Sequence, residues 1–288
     1  IAETPDGSYA VAGGWEPWDE DQGRPFEGTE ANVLKLNSEG QLEWQTGSGI
    51  PSYGAGALCA LGDGSIVFAS SLTREEAGID ALLHSLDASG SEQWCQTFRG
   101  VARYASFYLF GLGVTADGDV LAVGDRWDQD LEGDTSAFLV RSAPDGTELW
   151  TRTYVRSGFS SARSVAGTDD NGIVLVGSKT EFREGKADSE KSRVPSASAI
   201  VRTSPLVRHK PFLLKTDSDG EELWYRLWDS EYNCIAWCVA PTRDGGFVVA
   251  GQTRRSAEEP YRAFLMKLDA DGLGADLASA VYAGGASE

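Results

Sequence analysis

Short apolar runs recur along the chain, and each is bounded by residues that favour tight turns. One segment reads Cys-Ile-Ala-Trp-Cys-Val-Ala from residue 234, Gly-Phe-Val-Val-Ala-Gly from 246 and Ala-Phe-Leu-Met-Lys-Leu from 263. In the preceding segment, Glu-Leu-Trp-Tyr-Arg-Leu-Trp at 222–228 adds a fourth run. Apolar runs of about 4 to 8 residues between turn residues are typical of strands. The pattern therefore predicts similar units of four short antiparallel strands.

Two turn motifs separate these runs and repeat at constant spacing. In the first, Asp-Gly or Asp-Asn opens an apolar run that closes on a small residue, at 6–13, 63–70, 117–124, 170–177 and 244–251. In the second, Asp-x-x-Gly or a variant at 37–40, 87–90, 143–146 and 217–220 precedes Trp44, Trp94, Trp150 and Trp224; the fifth copy, 269–272, precedes Asp276. Asp and Asn accept backbone hydrogen bonds in turns and Gly supplies positive φ, so both motifs predict hairpin turns.

Five copies of the linked motifs predict an all-β fold, a five-bladed β-propeller with four antiparallel strands per blade. We expect a single domain over residues 1–288, with blades at 1–49, 50–100, 101–156, 157–230 and 231–288. The residues before Gly7 and after Asp276 together are about as many as the residues that connect one repeat to the next, which favours a closed ring. The alternative is part of a larger ring.

The Asp-x-x-Gly-x-x-x-Trp run resembles the tryptophan-docking motif of pyrroloquinoline-quinone-type propellers. The longer pattern, Asp-Gly-Gly-Phe-Val-Val-Ala-Gly followed by Phe-Leu-x-Lys-Leu-Asp-x-x-Gly, resembles the repeats of secreted and cell-surface propellers of bacteria and archaea. The resemblance implies that Trp44, Trp94, Trp150 and Trp224 each pack against the neighbouring blade. It does not imply a quinone cofactor, because the cofactor enzymes have larger rings and dedicated ligands that we do not find in this sequence.

The charge balance excludes some classes of partner and favours an extracytoplasmic location. The 288 residues carry 44 acidic and 25 basic side chains, a formal net charge of −19, which disfavours nucleic-acid binding through a general basic surface. An acidic surface favours solubility and suits cation-rich surroundings. We therefore expect an extracellular, cell-surface or periplasmic protein that does not insert into a membrane.

Candidate catalytic groups are sparse in the predicted first strands, which line the channel of a propeller. The four first strands that we can delimit contain no Asp or Glu, which argues against a glycosidase, where two carboxylates must converge on one sugar. His84 and His209 lie outside any nucleophile motif, and we expect both on the surface. Four cysteines, Cys59, Cys95, Cys234 and Cys238, do not fit a zinc pattern, and we interpret them as buried small side chains, with disulfides as the alternative.

One acidic loop has the composition of a calcium site. Asp128, Asp130 and Glu132 alternate before a turn glycine, as oxygen ligands do in calcium loops. Leu139 stands where an EF-hand would place its closing carboxylate, so the loop is not an EF-hand. The alternatives are a calcium site and a solvated acidic loop, and apart from this calcium we expect no cofactor.

Two loops between the second and third strands are enlarged, and variable loops on a rigid scaffold often carry function. The first, 14–31, contains Trp15 and Trp18 among acidic residues, a composition that suits stacking on a sugar or gripping a protein. The second, 182–210, is a basic insertion with seven basic against three acidic side chains. Its candidate binding residues are Arg183, Lys186, Arg193, Arg202 and Arg208. It fits an acidic partner, including a second copy of this chain. The alternatives are that the first loop folds its own aromatic side chains onto the edge of the blade, and that the second is a flexible, solvated insertion.

Together these features predict a non-catalytic propeller that binds or assembles with protein. A lectin-like sugar binder is the first alternative, and it would use Trp15, Trp18 and Trp127 beside Asp or Asn. A hydrolase with catalytic carboxylates in its loops is the second alternative.

Overall fold

The computed structural model describes residues 1–15, 18–19, 24–25, 30–51, 56–74, 78–99, 105–127, 135–154, 156, 158–182, 207–229, 232–256 and 259–274. Strands and turns make up this part of the chain, which contains no helix. The predicted all-β class is therefore confirmed.

The strands form successive units in chain order, and the first two units span residues 2–98. Unit one comprises β1 (Ala2–Glu3), β2 (Tyr9–Trp15), a small ribbon of β3 (Trp18–Asp19) and β4 (Arg24–Pro25), β5 (Glu30–Leu36) and β6 (Leu42–Pro51). Unit two comprises β7 (Ala57–Ala60), β8 (Ile66–Thr73), β9 (Ile79–Leu86) and β10 (Glu92–Phe98).

The remaining three units repeat the same order. Unit three comprises β11 (Ser106–Val114), β12 (Val120–Trp127), β13 (Thr135–Ser142) and β14 (Glu148–Tyr154). Unit four comprises β15 (Phe159–Gly167), β16 (Ile173–Phe182), β17 (Val207–Thr216) and β18 (Glu222–Leu227). Unit five comprises β19 (Asn233–Pro241), β20 (Phe247–Arg254) and β21 (Arg262–Leu268).

Within each unit, neighbouring strands pair antiparallel in chain order, apart from the ribbon in unit one. A parallel pair between Ser106 and Ile79 joins the sheets of units two and three. The first strands β1, β7, β11, β15 and β19 contact one another in that order. The units therefore follow one another with their first strands on a common side.

The repeated turn motifs have the predicted backbone geometry. Gly7, Gly64, Gly118 and Gly245 of the first motif and Gly40, Gly90, Gly146, Gly220 and Gly272 of the second all have positive φ. Asn171, which replaces glycine in unit four, has a φ of 60°. The Asn37 side chain shows the mechanism, because its Oδ1 accepts hydrogen bonds from the backbone N–H groups of Glu39 and Gln41 at 3.0 and 2.9 Å. The predicted turn chemistry is confirmed.

Each inner sheet is buried on both faces, because successive units stack face to face. In unit two, Val67 and Leu83 pack toward unit three, while Ile66 and Phe68 pack toward unit one. The buried side chains of unit three pack partly against unit two and partly against unit four, and those of unit four pack against units three and five. This explains why the second and third strands read as nearly continuous apolar runs rather than alternating ones.

A tryptophan at the start of each fourth strand reaches the turn of the next unit. The indole Nε1 of Trp44 donates to the carbonyl of Ala88 at 3.0 Å, and that of Trp94 donates to the carbonyl of Pro144 at 3.0 Å. Trp150 and Trp224 lie in the same way over Gly220 and Gly272. A β-carbon at any of these turn glycines would lie 2.6–2.9 Å from the indole, so the rings approach closely only because the turns lack side chains.

Three first strands carry a bulge, and each bulge lies opposite the glycine that closes the first motif. The extra residue is Phe110 in β11, Arg163 in β15 and Trp237 in β19. The opposing glycines are Gly124, Gly177 and Gly251. A β-carbon on them would lie only 1.6–2.2 Å from a carbonyl oxygen of the bulged strand, which explains the requirement for glycine.

We predict that Gly177→Ala destabilises the protein by roughly 1–3 kcal/mol, because its β-carbon would lie 2.0 Å from the carbonyl oxygen of Ser161. The matched control is Gly13→Ala, which closes the same motif in unit one with no described atom within 4 Å, and we expect it to change stability by no more than about 0.5 kcal/mol. Urea unfolding of both variants measures the difference. Equal stability of the two would contradict the close approach.

Candidate functional site

The three bulges bring together side chains that are distant in sequence. The guanidinium carbon of Arg163 lies 4.1 Å from the centre of the Phe110 ring and 5.3 Å from that of Trp237. Both separations are within the range for a cation–π contact. Arg163 therefore lies between two aromatic rings, each contributed by a neighbouring unit. We call these three residues, with Tyr108, the inner stack.

The inner stack continues on one side and opens to solvent on the other. Tyr108 stacks on Phe110 with ring centres 6.1 Å apart and planes within 6° of parallel. Trp237 is 40% exposed, an unusual exposure for so large an apolar side chain. The stack therefore offers a ligand an aromatic surface directly beside a guanidinium.

A buried carboxyl group lies next to Arg163. Asp125 follows Gly124 in β12 and pairs across the sheet with Tyr108. It is 1% exposed, and its Oδ2 atom has no hydrogen-bond partner among the described residues. Burial raises the pKa of Asp125 to about 6, against the opposing effects of the Arg163 charge and the Ser161 hydroxyl. Near neutral pH this carboxyl group can therefore exchange a proton.

A buried histidine is also affected by the charge of Arg163. His209 in β17 is 5% exposed, and its Nδ1 lies 2.9 Å from the Thr180 hydroxyl. Burial, together with the charges of Arg163 and Arg254, lowers the pKa of His209 to about 4. Burial also lowers the pKa of Arg163 itself. Arg163 thus brings a positive charge close to a buried carboxyl group and a buried imidazole.

The expectation of two surface histidines is wrong. His84 in β9 is fully buried, stacks on Phe68 with ring centres 4.6 Å apart, and lies 3.0 Å from the Ser70 hydroxyl through Nε2. His209, expected in a loop, belongs to β17 and is also buried. Both histidines lie in third strands, which are covered on both faces by the stacking of neighbouring units.

The cysteines only partly match their expected burial. Cys59 and Cys234 are buried, whereas Cys95 and Cys238 are exposed. None of the four, all of which lie in the described part of the chain, forms a disulfide. Exposure of Cys95 corrects the interpretation of all four as interior side chains, because β10 presents alternate residues to solvent.

Most of the loop residues that we predicted for binding lie outside the described residues. These are Arg183, Lys186, Arg193 and Arg202 of the basic insertion and Asp128, Asp130 and Glu132 of the acidic loop. Trp15 ends β2 and Trp18 begins β3, but their side chains also lie outside the described part. Trp127 ends β12 and is half-buried.

The structure shortens the predicted basic insertion. β16 extends to Phe182 and β17 begins at Val207, so Arg208 and Lys210 are strand residues rather than loop residues. Lys210 Nζ lies 2.8 Å from Glu181 and 3.0 Å from Asp229, and Arg208 lies 3.8 Å from Asp229. These acidic neighbours offset two of the basic charges of the predicted insertion, including that of Arg208, a candidate binding residue.

Among the described residues, no group of three or more His, Cys, Asp or Glu side chains is arranged to hold a metal ion. The same residues include no helix long and apolar enough to span a membrane.

Sequence reasoning missed the inner stack, although a signal for it was present. The closing glycines Gly124, Gly177 and Gly251 were recognised as repeat markers, but not as positions that face a bulge. The bulged residue is Phe, Arg or Trp in the three units, so no recurring residue type identifies this position in the sequence.

Comparisons with known proteins concern the fold alone. No family model and no curated protein matches the chain. A protein of unknown function from Dyadobacter fermentans superposes with a TM-score of 0.59 at 14% identity, over 97% of this chain and 79% of that one. A protein of unknown function from Bacteroides caccae gives a TM-score of 0.39 at 10% identity, over 92% of this chain and 90% of that one. Synechocystis apocarotenoid oxygenase gives a TM-score of 0.49 at 12% identity, over 92% of this chain and 65% of that one.

We predict that His209 makes folding stability depend on pH. Its pKa is about 4 in the folded protein, against about 6.5 in an unfolded chain, so the unfolded state takes up a proton first as pH falls. The contribution of neutral His209 to stability is therefore full above about pH 6.5 and declines by about 3 kcal/mol between pH 6.5 and 4.

Urea unfolding of the wild type and His209→Gln between pH 7 and 4 measures this contribution as the difference between the two curves. Taking the difference removes the opposite slope from Asp125, whose raised pKa favours the folded state as pH falls. A difference that is constant over this range would contradict the assignment.

Proposed function

We propose that the five units close into a five-bladed β-propeller, and that the chain is a non-catalytic binding module whose ligand stacks on Trp237 beside Arg163. The single observation that carries the binding role is the inner stack, in which an exposed indole and a partly desolvated guanidinium lie side by side. This combination suits a ring-shaped ligand with polar substituents. It therefore favours the hypothesis of a lectin-like sugar binder over that of a protein-assembly module.

Closure of the ring is supported by exposed apolar side chains on the outer faces of the first and last units. Tyr9 on the outer face of unit one is 37% exposed, and Leu265 on the outer face of unit five is 52% exposed. Closure would bring these two apolar faces together, as the inner units already do. The first strands, which contact each other in order, would then surround a central channel into which the inner stack opens.

A non-catalytic role is favoured by what the inner strands offer. β11, β15 and β19 contain no Asp or Glu, so the two converging carboxylates of a glycosidase are not provided by these strands. Asp125, on the second strand of unit three, is a single buried carboxyl group. An extracytoplasmic location and membership of the secreted and surface propellers belong to the same proposal, supported by the acidic charge and the repeat pattern.

Ring closure can be tested at the seam between units five and one. In four turns, the glycine of the second motif lies under the tryptophan of the preceding unit, but no described atom lies within 4 Å of the β-carbon position of Gly40. The residue that would supply the missing indole is Asp276. We predict that Asp276→Trp raises the free energy of unfolding by about 1–2 kcal/mol, because the new indole packs on the Gly40 turn in a closed ring.

Asp276→Ala is the control for loss of the carboxylate, and thermal and urea unfolding measure all three proteins. If the ring is open at this seam, the new tryptophan has nothing to dock on. The tryptophan and alanine variants would then be equally stable, and the proposed closure would be wrong.

The binding role predicts retention on immobilised glycans. We expect wild-type protein to bind a subset of a glycan array and Trp237→Ala to lose at least about tenfold in affinity, because the stacking surface is removed. Leu223→Ala, an exposed apolar truncation in β18, is the matched control and should bind like wild type. Hydrolysis of a bound glycan, or binding unchanged in Trp237→Ala, would contradict the proposal.

A further inference from the structure

The way in which Arg163 is held restricts what it can recognise. Its guanidinium carbon lies 4.1 Å from the centre of the Phe110 ring and 5.3 Å from that of Trp237, so both rings contact the charged group. The Nε atom is buried and has no hydrogen-bond partner among the described residues. Arg163 therefore presents a fixed edge of donors rather than a mobile charge.

Ionisable groups lie around Arg163. Asp125 is the acid that acts on Arg163, and the charges of Arg163 and Arg254 both act on His209. His209 is neutral near pH 7, because its pKa lies at about 4. A partly buried guanidinium favours an anion more strongly than a fully solvated arginine does.

The geometry of the donors selects among anions. A carboxylate is planar and matches the two parallel N–H groups of a guanidinium edge, so that both oxygens are bound at once. Trp237 beside it offers a flat apolar surface, and the sugar ring of a hexuronic acid carries its carboxylate at the edge of such a face. We propose, on the basis of the binding role above, that the ligand of the inner stack is an acidic sugar, a hexuronic acid residue whose ring lies on Trp237 and whose carboxylate pairs with Arg163.

The test compares matched sugars on the intact protein. Isothermal titration with a galacturonic acid trisaccharide and with the neutral galactose trisaccharide of the same linkage isolates the carboxylate. We expect the acidic sugar to bind at least tenfold more tightly, and the difference to shrink as salt increases. Benzoate serves as a third probe, since it carries a carboxylate on an aromatic ring instead of a sugar.

Arg163→Lys separates bidentate pairing from charge alone. It keeps the positive charge but loses the planar fork, so we expect at least tenfold weaker binding of the acidic sugar and little change for the neutral one. Arg152→Lys in β14, where Arg152 lies 3.0 Å from Glu221, is the control. Thermal unfolding establishes that each variant is folded, and Arg163→Gln provides a second variant should the lysine destabilise the stack.

The outcomes distinguish this inference from the proposed function. If both trisaccharides bind equally and depend on Trp237, the module binds sugar but the acidic specificity is wrong. If neither binds, the sugar-binding role itself is overturned, and the inference with it. Binding of benzoate as tight as that of the acidic sugar would overturn the sugar assignment, and binding unaffected by Arg163→Lys would overturn the pairing.

Discussion

The close approach of each bulged first strand to a glycine in the second strand is the constraint on which the site depends. At Gly124, Gly177 and Gly251 the backbones come so near that no β-carbon fits between them. Opposite these glycines an extra residue lies outside the ladder at the same place in three successive units. Because the first strands lie side by side, the three extra side chains meet, and the inner stack is the result.

Burial on both faces of the sheets makes this arrangement rigid. Each inner sheet lies between two others, so the alternating side chains of its central strands are fixed from both sides. The tryptophans of the fourth strands tie the opposite edge of each sheet to the next turn. A site built on strands held at both edges requires little rearrangement when a ligand binds, which reduces the entropic cost of binding.

The electrostatics of the site run against those of the chain as a whole. A surface with many acidic groups repels anions at long range, yet the inner stack holds the guanidinium of Arg163 between two aromatic rings. Salt screens long-range repulsion between exposed charges more than it screens a short, partly buried pair. An acidic exterior around this guanidinium therefore disfavours weakly matched anions while leaving a well-fitted carboxylate its local partner.

The repeat in the sequence by itself determined the strands, the turns and their order, because period, turn chemistry and strand length are local properties. Gly40, Gly90 and Asn171 have the positive φ that the motifs predict. Burial of His84 and His209 could not be read this way, because it depends on how sheets stack on both faces. The meeting of Phe110, Arg163 and Trp237 was decided only by the tertiary structure, since their distances are set by bulges and by contacts between units that no single repeat encodes.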